Sequence, residues 1–157
     1  MTHSLPTRRS RARQSGIGMI EVLIAVLVVS IGFLGMAALQ ARALSTNNSA
    51  MARSMATINS FSILDAMRAD IANAKTGAYN GTVTANACPA AGTGSLAKVQ
   101  LNQWCKQLAT LGAAATTTGT INCDASGTCK ITIQFDDSRA GTNFGSSAQK
   151  FVTQAML

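Results

Sequence analysis

Residues 17–39 form an almost uninterrupted apolar run that carries one carboxylate, Glu21, close to its start. As an α-helix this run is about 35 Å long at about 1.5 Å per residue, which is enough to cross the hydrocarbon core of a bilayer. A charged side chain at membrane depth costs about 2.5–3.5 kcal/mol, less near the edge, and usually marks a function. The run therefore predicts a membrane-length helix whose single acid has a specific role.

The charges are distributed unevenly about this run. The net charge is +7, but Arg8, Arg9, Arg11 and Arg13 all precede the run, and without residues 1–16 the balance is nine basic against six acidic groups, or +3. Positive residues beside a membrane segment stay cytoplasmic, so the chain is expected to cross once and place its larger part outside. The other basic residues are scattered, which argues against a nucleic-acid surface.

An ordinary secretory signal is the main alternative interpretation of the N-terminal region. The basic start, the apolar run and the small-x-small sequence at residues 41–43 would allow a cut after Ala43. However, the run is longer than the roughly 7–15 apolar residues that such signals contain. An acid near the start of the run is also unusual for a signal peptide.

The sequence around the start of the run resembles the class III signal of type IV prepilins. In that family a glycine precedes the cleavage site and an acid is the fifth residue after it. Here cleavage would fall between Gly16 and Ile17, and Glu21 is the fifth mature residue. The basic leader, the glycine, the acid and the apolar run all agree with the family. Ile17 stands where phenylalanine is most frequent, and Gly18 replaces a more usual threonine or serine.

A closer likeness, strong over residues 14–42 and weak afterwards, is to the PilV family of minor pilins, the type IV pilus modification proteins. The segments 30–36 and 39–40 carry it. This resemblance implies that a prepilin peptidase removes residues 1–16 and methylates the new N-terminus at Ile17. It also implies an inner-membrane precursor that later joins a surface pilus used in adhesion and twitching motility. The expected partners are the peptidase, other minor pilins, the major pilin, the inner-membrane assembly platform and a tip adhesin.

Cleavage would also explain the acid. It creates a positive amine at Ile17, which Glu21 of an axially offset neighbour could approach in a filament. A low dielectric strengthens such a pair, and each charge is tolerable only beside the other, so the pair can set the axial register. The alternatives are that Glu21 reaches the lipid headgroups or pairs within its own chain.

The helix is expected to continue beyond the membrane. No proline occurs from Thr7 to Cys88, so residues 40–75 are predicted to form an amphipathic continuation that fades near Ala74, with Gly77 as a stop signal. Within the span, Gly32 and Gly35 either allow close helix contact or loosen the helix. One apolar stripe is predicted to pack against residues 76–157, which we call the outer domain: Met51, Met55, Ile58, Phe61, Leu64 and Ile71. Methionine-rich stripes also serve as binding faces.

Residues 76–157 are predicted to form an extracytoplasmic α+β domain. Residues 76–94 are interpreted as a loop, and residues 96–111 as a short amphipathic helix with Trp104 as a core anchor rather than a ligand platform. Strands are predicted at 120–123, 129–135 and 150–156, with a turn at 124–127. Together with the N-terminal helix this predicts the pilin-like ladle, a long helix with a small antiparallel sheet on its outer half.

The four cysteines all follow the apolar run, which favours two disulfides with three possible pairings. The hairpin places Cys123 opposite Cys129, and this leaves Cys88 with Cys105. The sequence contains no C-x-x-C, and its single histidine, His3, lies in the leader, so neither a metal nor another cofactor is expected.

The sequence offers no nucleophile–base constellation, and the chain is predicted not to be an enzyme. The adjacent acids Asp136 and Asp137 are interpreted as a solvated loop, since two carboxylates are too few ligands for calcium. Assembly into a type IV pilus is the favoured function. The alternatives are a minor pseudopilin of type II secretion, a DNA-binding pilin used in uptake, and a secreted domain.

Overall fold

The computed structural model of the chain describes residues 18–141 and 145–157. It is an α+β protein, as predicted, with a long N-terminal apolar helix and a small four-stranded antiparallel sheet. The helices are α1 (Met19–Ala69), α2 (Ile71–Lys75) and α3 (Leu96–Leu108). The strands are β1 (Gly81–Thr84), β2 (Thr118–Cys123), β3 (Thr128–Phe135) and β4 (Gln149–Met156), and a short 3-10 helix (Ser138–Ala140) lies between the last two.

The chain divides into two compact units, one ending at Leu39 and the other spanning Gln40–Leu157. The described part of the first unit is helical from Met19 onward, and its side chains are exposed. Its mean hydropathy reaches 2.8, so α1 is long and apolar enough to cross a membrane. A signal sequence near the N-terminus meets the same criterion of length and composition.

In the second unit the sheet is a simple meander, because each strand pairs antiparallel with the next along the chain. The turn between β2 and β3 is closed by the Asp124 amide, which donates to the Thr128 carbonyl at 3.0 Å. Gly127 adopts a positive φ of 93°, which favours glycine. The predicted hairpin is therefore present, and Cys123 lies directly opposite Cys129.

Strand β1 corrects the prediction of an unbroken loop over residues 76–94. It is four residues long, and only Val83 in it is both apolar and buried, so the sequence shows little strand alternation. Its position is fixed by the preceding Asn80. The Asn80 side chain donates to the Cys123 carbonyl at 2.9 Å and accepts from the Cys123 amide at 2.7 Å.

The predicted continuous helix to residue 75 is interrupted at Asp70, where the backbone leaves helical geometry at φ −131° and ψ 48°. The Asp70 carboxylate accepts hydrogen bonds from the Asn73 amide at 2.7 Å and the Tyr79 hydroxyl at 3.0 Å. An aspartate that bonds nearby groups competes with helix continuation. Gly77, the predicted stop, has a positive φ of 82° just after α2.

The prediction that one apolar stripe of α1 faces the core is wrong for most of the residues in that stripe. Met51, Ile58 and Phe61 are 65%, 58% and 51% exposed, respectively. Ile71 is also exposed and Met55 is half-buried, so only Leu64 is fully buried. The residues of α1 that are buried are instead largely small or polar: Ser49, Ala56, Asn59, Ser60, Ile63, Leu64 and Met67.

The buried face of α1 is the one that packs closely against Trp104 of the domain core. Trp104 is 2% exposed, and its indole N–H donates to the Asn59 carbonyl of α1 at 3.0 Å. Ala56 and Ser60, both fully buried on α1, are small enough to let the helix backbone approach this closely. Trp104 is thus a core residue, as predicted, and Met51, Ile58 and Phe61 of α1 are left exposed.

The outer domain is joined by two disulfides, Cys88–Cys105 and Cys123–Cys129, the same pairs that the hairpin argument predicts. The first ties the segment after β1 to α3. The second joins β2 to β3 beside Met67 of α1, with the Cys123 Sγ 3.7 Å from the Met67 Sδ. The core cluster that contains these cysteines also includes the fully buried side chains of Ile121, Ile131, Ile133, Phe135, Leu108 and Tyr79.

Candidate functional site

Glu21 lies in the first turn of α1 and is exposed. It is the single ionisable residue between Gly18 and Ala41, and a carboxylate at this end of a helix is favoured by the helix dipole. Within the described residues, 18–141 and 145–157, no cation forms an ion pair with it. A lone acid on an apolar helix is therefore available to a partner from outside these residues.

The other two residues of the predicted processing site, Gly16 and Ile17, lie outside the described residues. The structure begins at Gly18, whose carbonyl accepts the backbone amide of Glu21 at 2.9 Å. Cleavage between Gly16 and Ile17, and methylation of Ile17, remain predictions.

The exposed apolar side chains of α1 continue into the second unit as a narrow row, which we call the outer stripe: Leu44, Met51, Ile58 and Phe61. Their spacing of seven, seven and three residues places them on one helical face. Each of the four is at least half exposed. Monomeric soluble proteins seldom leave such a row uncovered, so the outer stripe is a candidate contact surface.

Gly32 and Gly35 stand in the apolar unit with open space around them. A Cβ built at either position would meet nothing within 4 Å. Neither glycine is therefore required by a contact within the described residues, and their predicted roles, close helix contact or a looser helix, both concern neighbours outside them.

The prediction that Asp136 and Asp137 form a solvated loop is wrong for Asp137, which is 5% exposed. Its Oδ2 accepts from the Ser49 hydroxyl at 2.6 Å and lies 3.3 Å from the Arg53 guanidinium. This contact joins the segment after β3 to α1. Asp136 is half-buried, and the Ser138 backbone N–H that it accepts holds the pKa of its carboxyl below the usual value.

The two aspartates border an open cleft of about 360 Å³ beside α1. Its polar side includes Asp136, Arg139 and Ser45, and the Ser45 hydroxyl donates to the Arg139 carbonyl. Its apolar side is formed by Met51, Met55 and Leu111. Within the described residues no group of three or more His, Cys, Asp or Glu side chains converges to hold a metal ion, here or elsewhere.

Replacing Asp137 by alanine should lower the free energy of unfolding by about 2 kcal/mol, because the buried Ser49 hydroxyl loses its acceptor. Arg53 is about half exposed, so loss of its ion pair adds little. Chemical denaturation of the full chain in detergent measures the change. Asp136→Ala is the matched control and should have a smaller effect; equal effects would contradict the inferred role of Asp137.

Neither a scan of protein-family models nor searches of curated proteins and of solved structures finds a match to this chain.

Proposed function

We propose that this chain is a minor pilin, a low-abundance subunit that is assembled into a type IV pilus and helps to prime or complete it. The observation that carries the proposal is the exposed apolar helix with one acid, Glu21, in its first turn, which forms no ion pair within residues 18–141 and 145–157. An assembly subunit needs such a helix twice, first to be held in the membrane and then to pack among other helices in a filament. The prepilin-like sequence from Gly16 to Leu23 supports the same function.

In this proposal the leader is removed after Gly16, and the amine of Ile17 becomes a positive charge at the start of the helix. Glu21 of one subunit then pairs with that amine on a neighbour. In an apolar setting each charge of the pair compensates the other, so pairing favours the axial offset that brings the two together. The outer domain, with its two disulfides, is then carried outside the cell membrane.

The outer stripe fits the same proposal. Leu44, Met51, Ile58 and Phe61 are uncharged, and each is at least half exposed. A neighbouring apolar helix would cover them and bury surface worth about 25 cal/mol per Å². The small-residue face of α1 is already used by the outer domain, so the outer stripe is the face that remains for a neighbour.

A minor pseudopilin of type II secretion is the second candidate, since the same helix and acid would serve that machine. Deleting the gene separates the two: loss of pili and twitching supports the pilus, whereas loss of protein secretion with intact pili supports the secretion system. A DNA-binding role in uptake has less support because the charge beyond residue 16 is only +3 and is scattered.

The intact mass and N-terminal sequence of the protein from native membranes test the proposal. We expect a chain that starts at methylated Ile17. A start at Leu44 would identify an ordinary secreted domain and overturn the proposal. A start at Met1 or Thr2 in a host with an active prepilin peptidase would also contradict it, because the leader would then not be a substrate.

A further inference from the structure

Strand β4 is an outer strand of the sheet, and within residues 18–141 and 145–157 no strand pairs with its second edge, which is long and regular. All eight of its residues pair with β3, from Gln149 opposite Phe135 to Met156 opposite Thr128. The Leu157 amide donates to the Gly127 carbonyl at 2.9 Å, which fixes the alternation of the ladder. By that alternation four residues direct their backbone N–H and C=O groups away from β3: Lys150, Val152, Gln154 and Met156.

This edge lacks most of the devices that protect edge strands from pairing, such as proline, bulges and inward charges. Its pairing with β3 has no bulge, it contains no proline, and its single charge, Lys150, points outward. The opposite edge of the sheet is different. Strand β1 has four residues, and the Thr84 carbonyl already accepts from the Ala87 amide at 2.8 Å. The edge of β4 is therefore the one able to accept another strand.

Side chains on the inner face of the sheet, the face toward the core, are less buried on β4 than on β3. On β3 the inner residues Ile131, Ile133 and Phe135 are fully buried. Phe151 and Ala155, which lie on the same face of β4, are only half-buried. One more strand with apolar side chains on this face would extend the core across them.

The outer face adds a charge requirement. The side chains on the outer face of β2, β3 and β4, the face opposite the core, include two lysines, Lys130 and Lys150, and no acid. Lys130 lies opposite Gln154, so both lysines are close to the free edge. A second copy of β4 would bring more lysine and no carboxylate. A strand with acidic side chains on its outer face would be complementary.

We propose that the β4 edge binds an extended segment of another polypeptide by strand addition, with apolar residues on the inner face alternating with acidic residues on the outer face. Backbone hydrogen bonds to the N–H and C=O groups that Lys150, Val152, Gln154 and Met156 direct away from β3 supply the affinity. Phe151 and Ala155 select apolar side chains, and Lys130 and Lys150 select acids. The inference does not depend on the chain being a pilin.

The probe is a synthetic peptide as long as β4 in which valine alternates with glutamate, and its match has lysine in place of every glutamate. Each is added to the full-length protein in non-ionic detergent, and amide hydrogen exchange is followed residue by residue. In the free protein we expect fast exchange at Lys150, Val152, Gln154 and Met156. The glutamate peptide should slow these four amides, and the lysine peptide should bind about tenfold more weakly.

Two sets of variants make the test decisive. The double variant Lys130→Glu with Lys150→Glu changes exposed residues only and should reverse the preference to the lysine peptide. Val152→Pro removes one outward N–H and should abolish binding, whereas Val152→Thr keeps it and should not. The proposal is overturned if both peptides bind equally, if the double variant keeps the original preference, or if the four amides are already protected in a concentration-dependent manner, which would identify a second copy as the occupant.

Discussion

Replacing Glu21 by alanine should leave the chain in the membrane at its normal level but reduce its recovery in sheared filaments by roughly 100-fold or more. The reason, on the function proposed above, is that the N-terminal amine of a neighbouring pilin would be left uncompensated in an apolar setting, at a cost of about 3–5 kcal/mol. Membrane insertion should not suffer, because removing the one charge makes the span more apolar. Quantitative immunoblotting of membrane and filament fractions measures both quantities.

Two further variants separate the charge of Glu21 from the length of its side chain. Glu21→Asp should retain a substantial part of the incorporation, whereas Glu21→Gln, which keeps the shape and removes the charge, should behave like alanine. Normal incorporation of the glutamine variant would refute the charge-pair mechanism. Loss of all three variants from the membrane fraction would show instead that Glu21 acts at insertion.

Adding a side chain at Gly119 should strongly destabilise the outer domain. Gly119 lies on the inner face of β2, and a Cβ there would be 2.4 Å from a ring carbon of Trp104 and 2.6 Å from a methyl of Leu108. Both neighbours are almost fully buried and have nowhere to move. Overpacking of this kind costs about 1–3 kcal/mol, so Gly119→Ala should fall in that range and Gly119→Val above it.

The measurement is denaturant unfolding of the full chain in detergent, followed by the fluorescence of Trp104, the only tryptophan in the protein. Asn122→Thr is the matched control, since it changes an exposed residue of β2 on the opposite face and should shift the stability by no more than about 0.5 kcal/mol. If Gly119→Ala is as harmless as the control, Trp104 does not pack against β2 as described.

Features that depend on local pattern could be predicted from the sequence. The apolar run predicts the first part of α1, and the alternation in residues 129–135 with the Asp124–Gly127 turn predicts the β2–β3 hairpin. The hairpin in turn places Cys123 opposite Cys129. In each case the physical signal lies within a few neighbouring residues.

Features that depend on distant partners could not be predicted in the same way. Strand β1 has one buried apolar residue and is fixed by Asn80, which lies next to it in sequence but bonds Cys123 across the sheet. Which face of α1 is buried depends on distant residues such as Trp104, whose indole N–H donates to the Asn59 carbonyl. The burial of Asp137 requires Ser49 and Arg53, far away along the chain.

The meander order of the sheet has a consequence for how the domain folds. Every strand pairs with its sequence neighbour, so β2 and β3 can pair through a short turn, and β4 can then pair with β3 once the longer segment 136–148 has closed. The slower steps are then oxidation of the two cysteine pairs, which takes seconds or longer without a catalyst. If the chain is exported as proposed, we therefore expect its maturation time to follow the supply of oxidant rather than the rate of strand pairing.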